Sequence, residues 1–186
     1  PNFRGYPHDP GKAKALLVAA GYGPGGRKLP ALTLVVRQQQ PDLSKAAQVV
    51  KEQLAAIGVE INLKEMEWGA FLTATNNKEI DFFHMRWMAD YPDPQNFLSL
   101  LLMSGSSENR SGYANPAFDA LCRQADGLLD MKARLPLYRK AERLVVDDAP
   151  WIPLYYQRDV ELVKPRVKDL ADCLQGHLPH VGTRVE

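Results

Sequence analysis

Apolar residues recur along this chain with two periods, and the alternation between them predicts an α/β fold. Asp9-Pro10 opens a helix as N-cap and first-turn proline, with Ala13, Leu16, Leu17 and Ala20 as its apolar face and Gly21 closing it. Leu32 to Val36 reads as a buried strand, followed by a polar turn from Gln38 to Asp42. Leu43, Ala46, Ala47, Val50, Leu54 and Ile57 then repeat at helical spacing up to Gly58. Val59, Ile61 and Leu63 alternate with Glu60, Asn62 and Lys64, which predicts a strand with one wet face. Strand, helix and strand in this order predict a βαβ unit: a parallel pair with a right-handed crossover.

A short helix from Trp68 to Thr75 leads to a third strand, Phe82 to Trp87, and a helix from Gln95 to Leu102 follows. After a polar loop from Ser104 to Gly112, two amphipathic helices span Pro116 to Leu129 and Lys132 to Val146, with Pro136 early in the second. Ile152 to Tyr156 and Val160 to Val163 read as strands that return as a hairpin, so the central sheet is expected to be mixed. From Lys164 onward the pattern turns irregular.

Composition narrows the classes. With 186 residues, 45% hydrophobic and 24% charged, the chain can close a real core. Its net charge of +1 offers no electrostatic basis for binding nucleic acid. No apolar run approaches the ~20 residues of a membrane helix. The opening Pro1-Asn2-Phe3 reads as the interior of a longer protein. Two cysteines are too few for a disulfide framework. Cys122 shares an apolar helix stripe with Phe118, Leu121 and Ala125 and is expected as a buried thiol, not bonded to Cys173.

The densest chemistry lies between Met85 and Leu98. Pro92 and Pro94 forbid regular structure there, so Asp90 and Asp93 sit on a stiff turn at a strand end, beside the Trp87 indole. Strand ends in α/β folds are where ligands are usually met. An acid held against an aromatic wall suits a cationic group such as an amine; for Asp93 the plainer role of helix cap fits better.

Catalytic signatures are missing: there is no Gly-x-Ser-x-Gly, His-Glu-x-x-His or Cys-x-x-Cys. Asp90 and Asp93 as a hydrolase acid pair lack a converging geometry. His177 and His180 are a weak metal pair. The Gly21 to Gly26 run follows a helix and precedes a strand, the reverse of a phosphate-binding loop. No catalytic residue, metal or cofactor is therefore expected.

In order along the chain, several segments together carry a resemblance. They are Tyr6-Pro7-His8-Asp9-Pro10-Gly11-Lys12-Ala13, Gln53-Leu54-Ala55-Ala56-Ile57-Gly58-Val59, Glu67-Trp68, Trp87 through Leu98, Ser111-Gly112-Tyr113-Ala114-Asn115-Pro116 and Asp148-Ala149-Pro150-Trp151-Ile152-Pro153. With these the chain resembles the family 5 extracellular solute-binding proteins, the peptide- and dipeptide-binding components of bacterial ABC importers. The resemblance implies one lobe of a two-lobed binding protein, residues 1–163. The tail, 164–186, would return to an N-terminal lobe that the chain does not contain.

The resemblance also implies periplasmic or extracellular localisation, a membrane permease as partner and a short peptide as ligand. A nickel chelate, haem or an oligosaccharide are alternative solutes on the same scaffold. Asp90 matches the family acid that binds the peptide α-amino group. Arg37 matches the arginine that takes the ligand carboxylate in the dipeptide-binding branch, where a guanidinium bonds in bidentate fashion. Trp68 and Trp87 are candidate pocket walls or core residues. Arg86 is a second anion contact or a plain salt-bridge partner, and Asn109 and Tyr113 are further candidates on a loop.

Overall fold

The βαβ unit forms as the periodicity predicts. In the computed structural model, which describes residues 6–156, 158, 160–171 and 181–186, strand β1 (Leu32–Arg37) pairs in parallel with β2 (Ile61–Met66) through helix α2 (Pro41–Ala55). Leu32 lies opposite Ile61 and Arg37 opposite Met66. Ahead of them runs helix α1 (Pro10–Ala19). The side chain of Asp9 accepts the Lys12 N–H at 2.8 Å as its N-cap.

Helix α1 ends in a Schellman turn. Gly21 takes φ 85°, and the N–H groups of Gly21 and Tyr22 donate to Val18 O and Leu17 O. Only part of the expected apolar face of α1 is used: Leu17 packs on the core, while Leu16 stays 61% exposed. The glycine run beyond it is a tight reversal. A Cβ on Gly26 would lie 2.6 Å from Gly21 O, so the chain folds on itself there.

The chain divides into two compact units. The first comprises Pro1–Arg86 and Arg110–Gly112. Its core joins Leu34, Val36, Ala47, Val59 and Ile61, with Leu54, Ile57 and Phe82 packed around them. Helix α3 (Trp68–Asn76) follows β2. Glu67 is its N-cap, accepting from Gly69 N–H at 2.7 Å and Ala70 N–H at 3.1 Å.

The strand expected over Phe82 to Trp87 reduces to a single parallel bridge between Phe83 and Val35. After His84 no further residue of this run joins the ladder, so apolar content there builds core contacts without a strand.

The second unit comprises Trp87–Asn109 and Tyr113–Glu186. A 3-10 turn (Pro94–Asn96) and a short helix α4 (Ser99–Leu102) replace the one helix expected from Gln95 to Leu102. Helices α5 (Pro116–Asp126) and α6 (Met131–Asp148) follow, capped by Asn115 and Asp130. Pro136 lies inside α6. Leu101, Leu102, Phe118, Cys122, Ala141 and Val145 form the core of this unit. Cys122 is a buried free thiol, as its stripe predicts.

Ile152 to Tyr156 and Val160 to Val163 are not strands in the described residues, and the hairpin that would make the sheet mixed is not seen. Tyr156 and Leu162 are almost wholly exposed, at 102% and 96%. Among the described residues their strand propensity finds no edge to pair with. A short antiparallel pair, β3 (Val167–Lys168) with β4 (Arg184–Val185), forms where irregular chain was expected. His177, His180 and Cys173 lie outside the described residues. Among the described residues no helix is long and apolar enough to cross a membrane.

Candidate functional site

Each unit holds part of the predicted residue set. In the first unit, Arg37 ends β1 and its guanidinium lies over the Trp68 ring, 4.5 Å from the centroid. Stacking uses the guanidinium face and leaves its in-plane N–H edge available to an acceptor. Trp68 opens α3, stacks on Phe71 at 5.9 Å and remains partly exposed, so it is both a packing residue and a surface. Below it the Glu67 carboxyl is held under its usual range by the Gly69 and Ala70 N–H groups, with the Arg37 charge acting the same way. Arg86 is exposed at the end of this unit's bridge segment. His84, two residues earlier, keeps a lowered pKa, chiefly from burial.

In the second unit the proline turn is built around one side chain that the sequence does not single out. Asn96 is fully buried, and its Oδ1 accepts the Trp87 Nε1–H at 2.6 Å and the Asp90 backbone N–H at 3.3 Å. Both partners are donors, so the oxygen must face them. The amide nitrogen then faces the Asp90 carboxylate, with Nδ2 to Oδ2 at 3.4 Å. One carboxamide thereby fixes the indole and orients the acid beside it. Trp87 is half-buried against the core of the unit, while Asp90 is exposed.

The turn itself is pinned from two sides. Asp93 caps the 3-10 turn through Gln95 N–H at 2.8 Å, the capping role its position suggests. Its second oxygen meets Arg134 Nη1 of α6 at 3.0 Å. Arg134 also donates to the Tyr138 hydroxyl at 2.9 Å, and Tyr138 donates to Asp126 Oδ1 at 2.5 Å. Burial, followed by that bond to Asp126, raises the Tyr138 pKa.

Asn109 and Tyr113 do structural work. The Asn109 amide is buried and donates to the carbonyls of Leu102, Met103 and Tyr113, at 3.3, 3.2 and 2.8 Å. It thereby closes the loop after α4. The Tyr113 hydroxyl donates to Asp148 Oδ2 at 2.6 Å. Burial first, then that bond, pushes its pKa up to about 12. Asp148, accepting from Tyr113 and Asn115, is held below its usual range.

Asn96 escapes a sequence reading because an Asn two residues beyond a proline reads as turn chemistry. The only hint is its place nine residues beyond a Trp, and the contact appears once the turn folds back.

Comparison with known proteins places these features in context. The sequence profile of the family described as "Bacterial extracellular solute-binding proteins, family 5 Middle" matches residues 1–109. Heme-binding protein A of Haemophilus influenzae is 34% identical over 183 residues, covering 97% of this chain and 34% of that protein. Dipeptide-binding protein DppE of Bacillus subtilis is 36% identical over 168 residues, covering 90% of this chain and 31% of that protein. Among solved structures, the ABC transporter-associated periplasmic binding protein DppA from Helicobacter pylori in complex with peptide STSA superposes with a TM-score of 0.74 at 35% identity. It covers 82% of this chain and 30% of that one. The chain thus spans about a third of the length of the relatives it matches.

Proposed function

The chain belongs to the family 5 bacterial extracellular solute-binding proteins, and from that premise we propose that it supplies part of the peptide site of an ABC importer's binding component. The ligand is a short peptide with free termini. Asp90 takes its ammonium group, Trp87 forms the wall beside it, and Arg37, braced on Trp68, takes a ligand carboxylate. Asn109 and Tyr113 support the loop, and Arg86 is a second anion contact or a salt-bridge partner. The protein binds its ligand without chemistry. It works outside the cytoplasmic membrane with a membrane permease as partner. Residues 1–163 form one ligand-binding lobe, and the tail 164–186 returns to a second lobe of the complete protein.

The observation that carries this reading is the Asn96 clamp, which presents the Asp90 carboxylate beside a fixed indole. A buried ammonium needs such an opposite charge, because an unpaired buried ion is very costly. A peptide site also accords with the peptide held by the Helicobacter pylori structure.

The test is calorimetry on the complete protein with Asp90→Asn, using one peptide with a free amino terminus and the same peptide acetylated. Removing one partner of an enclosed charge pair costs about 2–5 kcal/mol, which is roughly 30- to 4000-fold in affinity. The loss is expected for the free peptide and is largely absent for the acetylated one. Equal losses for both would leave Asp90 as a shaper of the turn and remove it from the site.

A second reading, haem as the solute, is favoured by the heme-binding relative that aligns over 97% of the chain. Titration with haemin, followed by its absorbance, separates the two: saturable binding of haemin with no binding of peptides would replace the peptide reading.

A further inference from the structure

We propose that Arg134, on the far helix α6, is a positioning residue for the ammonium site, acting through Asp93 and Asn96; the ligand consequence rests on the peptide reading above. The 3-10 turn that carries Asn96 has few restraints of its own, since a three-residue turn closes little backbone hydrogen bonding. Its N-cap is Asp93, and the two oxygens of that residue divide their work. One accepts the Gln95 N–H at 2.8 Å inside the turn. The other meets Arg134 Nη1 at 3.0 Å, and both side chains of this pair are more than four-fifths shielded from solvent.

A charge-assisted bond at that depth is directional and weakly screened. Arg134 is itself held by the Tyr138 hydroxyl and lies over the Tyr138 ring at 5.2 Å, and Tyr138 is locked to Asp126. Asp126 also accepts from Ser99 of α4 at 3.0 Å. The helices α4, α5 and α6 therefore grip the turn through one guanidinium.

The turn in turn decides where the Asn96 carboxamide sits. Its oxygen must stay within bonding range of both Trp87 Nε1 and the Asp90 N–H. A small rotation of the turn breaks the long Asp90 bond first and then frees the indole. The position of the carboxylate beside the indole, and with it the preference for a free amino terminus, is thus set through the Asp93–Arg134 ion pair.

Two variants of the complete protein test this. Arg134→Met keeps the stem and removes the charge, while Asp93→Asn keeps the capping oxygen and removes only the ion pair. The first readout needs no ligand. The Trp87 indole N–H resonance, assigned with Trp87→Phe, is expected to be shifted downfield and slow to exchange in the unaltered protein, and to lose both properties in each variant. The second readout is affinity for free against acetylated peptide. The ratio is expected to fall on the order of 10-fold, the lower end of what lost supporting partners cost a bound group. The double variant should lose no more than either single one.

An indole resonance that stays protected in Asp93→Asn overturns the inference, whatever the peptides do. So does a preserved preference for the free amino terminus in both variants. A lost indole bond, combined with no discrimination between the two peptides by the unaltered protein, sustains the positioning role and overturns the ammonium reading instead.

Discussion

Replacing Asn96 by Leu should destabilise the second unit by an amount the geometry sets. Leu has nearly the shape of Asn, so the fully enclosed site is refilled and the chief loss is hydrogen bonding. The Trp87 Nε1–H loses an acceptor at 2.6 Å in half-buried surroundings, and a donor left without a partner there costs about 1–3 kcal/mol. The Asp90 N–H bond, at 3.3 Å, is long, and water reaches that exposed residue, so its loss adds at most ~0.5 kcal/mol. The added apolar burial returns up to about 1 kcal/mol. The net expectation is a loss of roughly 1–3 kcal/mol.

With a urea slope near 2 kcal/mol/M, the unfolding midpoint followed by tryptophan fluorescence should fall by about 0.5–1.5 M. Asn96→Asp separates the two halves of the amide. It keeps an oxygen toward both donors but sets a second oxygen 3.4 Å from Asp90 Oδ2. Like charges at that distance oppose each other, so this variant should be clearly weakened at pH 7 and recover as acid protonates one carboxyl of the pair. A midpoint unchanged within ~0.2 M for Asn96→Leu, or equal pH dependence for Asn96→Asp and the unaltered chain, would refute the clamp.

Three further outcomes are expected. Phe118→Ala, at a position with no exposed surface, should cost about 3–5 kcal/mol through the cavity it leaves, read from the same urea curves. Burial pushes the Cys122 thiol up to about 11, so alkylation at pH 8 should run on the order of 100-fold slower in the folded chain than in urea, as mass spectrometry will show. Burial, helped by the Arg86 charge, holds the His84 imidazole below 6.5. The unfolded chain then takes up a proton that the folded chain refuses, so the His84 contribution is complete above pH 6.5 and lost as pH falls toward the folded value. His84→Gln should flatten the decline in urea midpoint between pH 7.5 and 5.5.

The two long helices of the second unit are legible in the sequence because caps and periodicity agree, whereas the helix expected from Gln95 to Leu102 splits into a 3-10 turn and one short turn of α-helix. Asn115-Pro116 opens α5, Asp130 opens α6, and Phe118, Cys122 and Ala125 face inward at helical spacing. The parallel pair was legible for the same reason, though the ladder begins at Ile61 and not at Val59. Val59 is buried, but its N–H goes to Leu54 O at the end of the preceding helix; alternation reports burial and not pairing. Phe82 to Trp87, Ile152 to Tyr156 and Val160 to Val163 carry strand propensity but form no strand among the described residues, because propensity says nothing about whether a partner edge exists.

In the candidate site, the placing of Asp90 on a stiff turn beside the Trp87 indole is legible from the two prolines, whereas the role proposed for Arg37 comes only from the family resemblance. The Asp93 cap was readable from the proline beside it. Asn96 and Arg134 were not, because their roles depend on distances closed by folding. Asn96 meets Trp87 nine positions away, and Arg134 meets Asp93 from another helix.

The lone bridge beside β1 has a kinetic consequence. The segment leading into Trp87 is fastened to β1 by two backbone bonds, Val35 N–H to Phe82 O at 3.0 Å and His84 N–H to Val35 O at 2.9 Å. The pairing of β1 with β2 runs through six registered positions. Opening the bridge therefore breaks far less structure than opening the ladder, and partial openings of this kind occur well below the free energy of global unfolding. The amide of His84 should exchange with solvent deuterium sooner than those within the β1–β2 ladder. Exchange at His84 thus reports the opening of the chain just before the indole and the acid separately from that of the ladder.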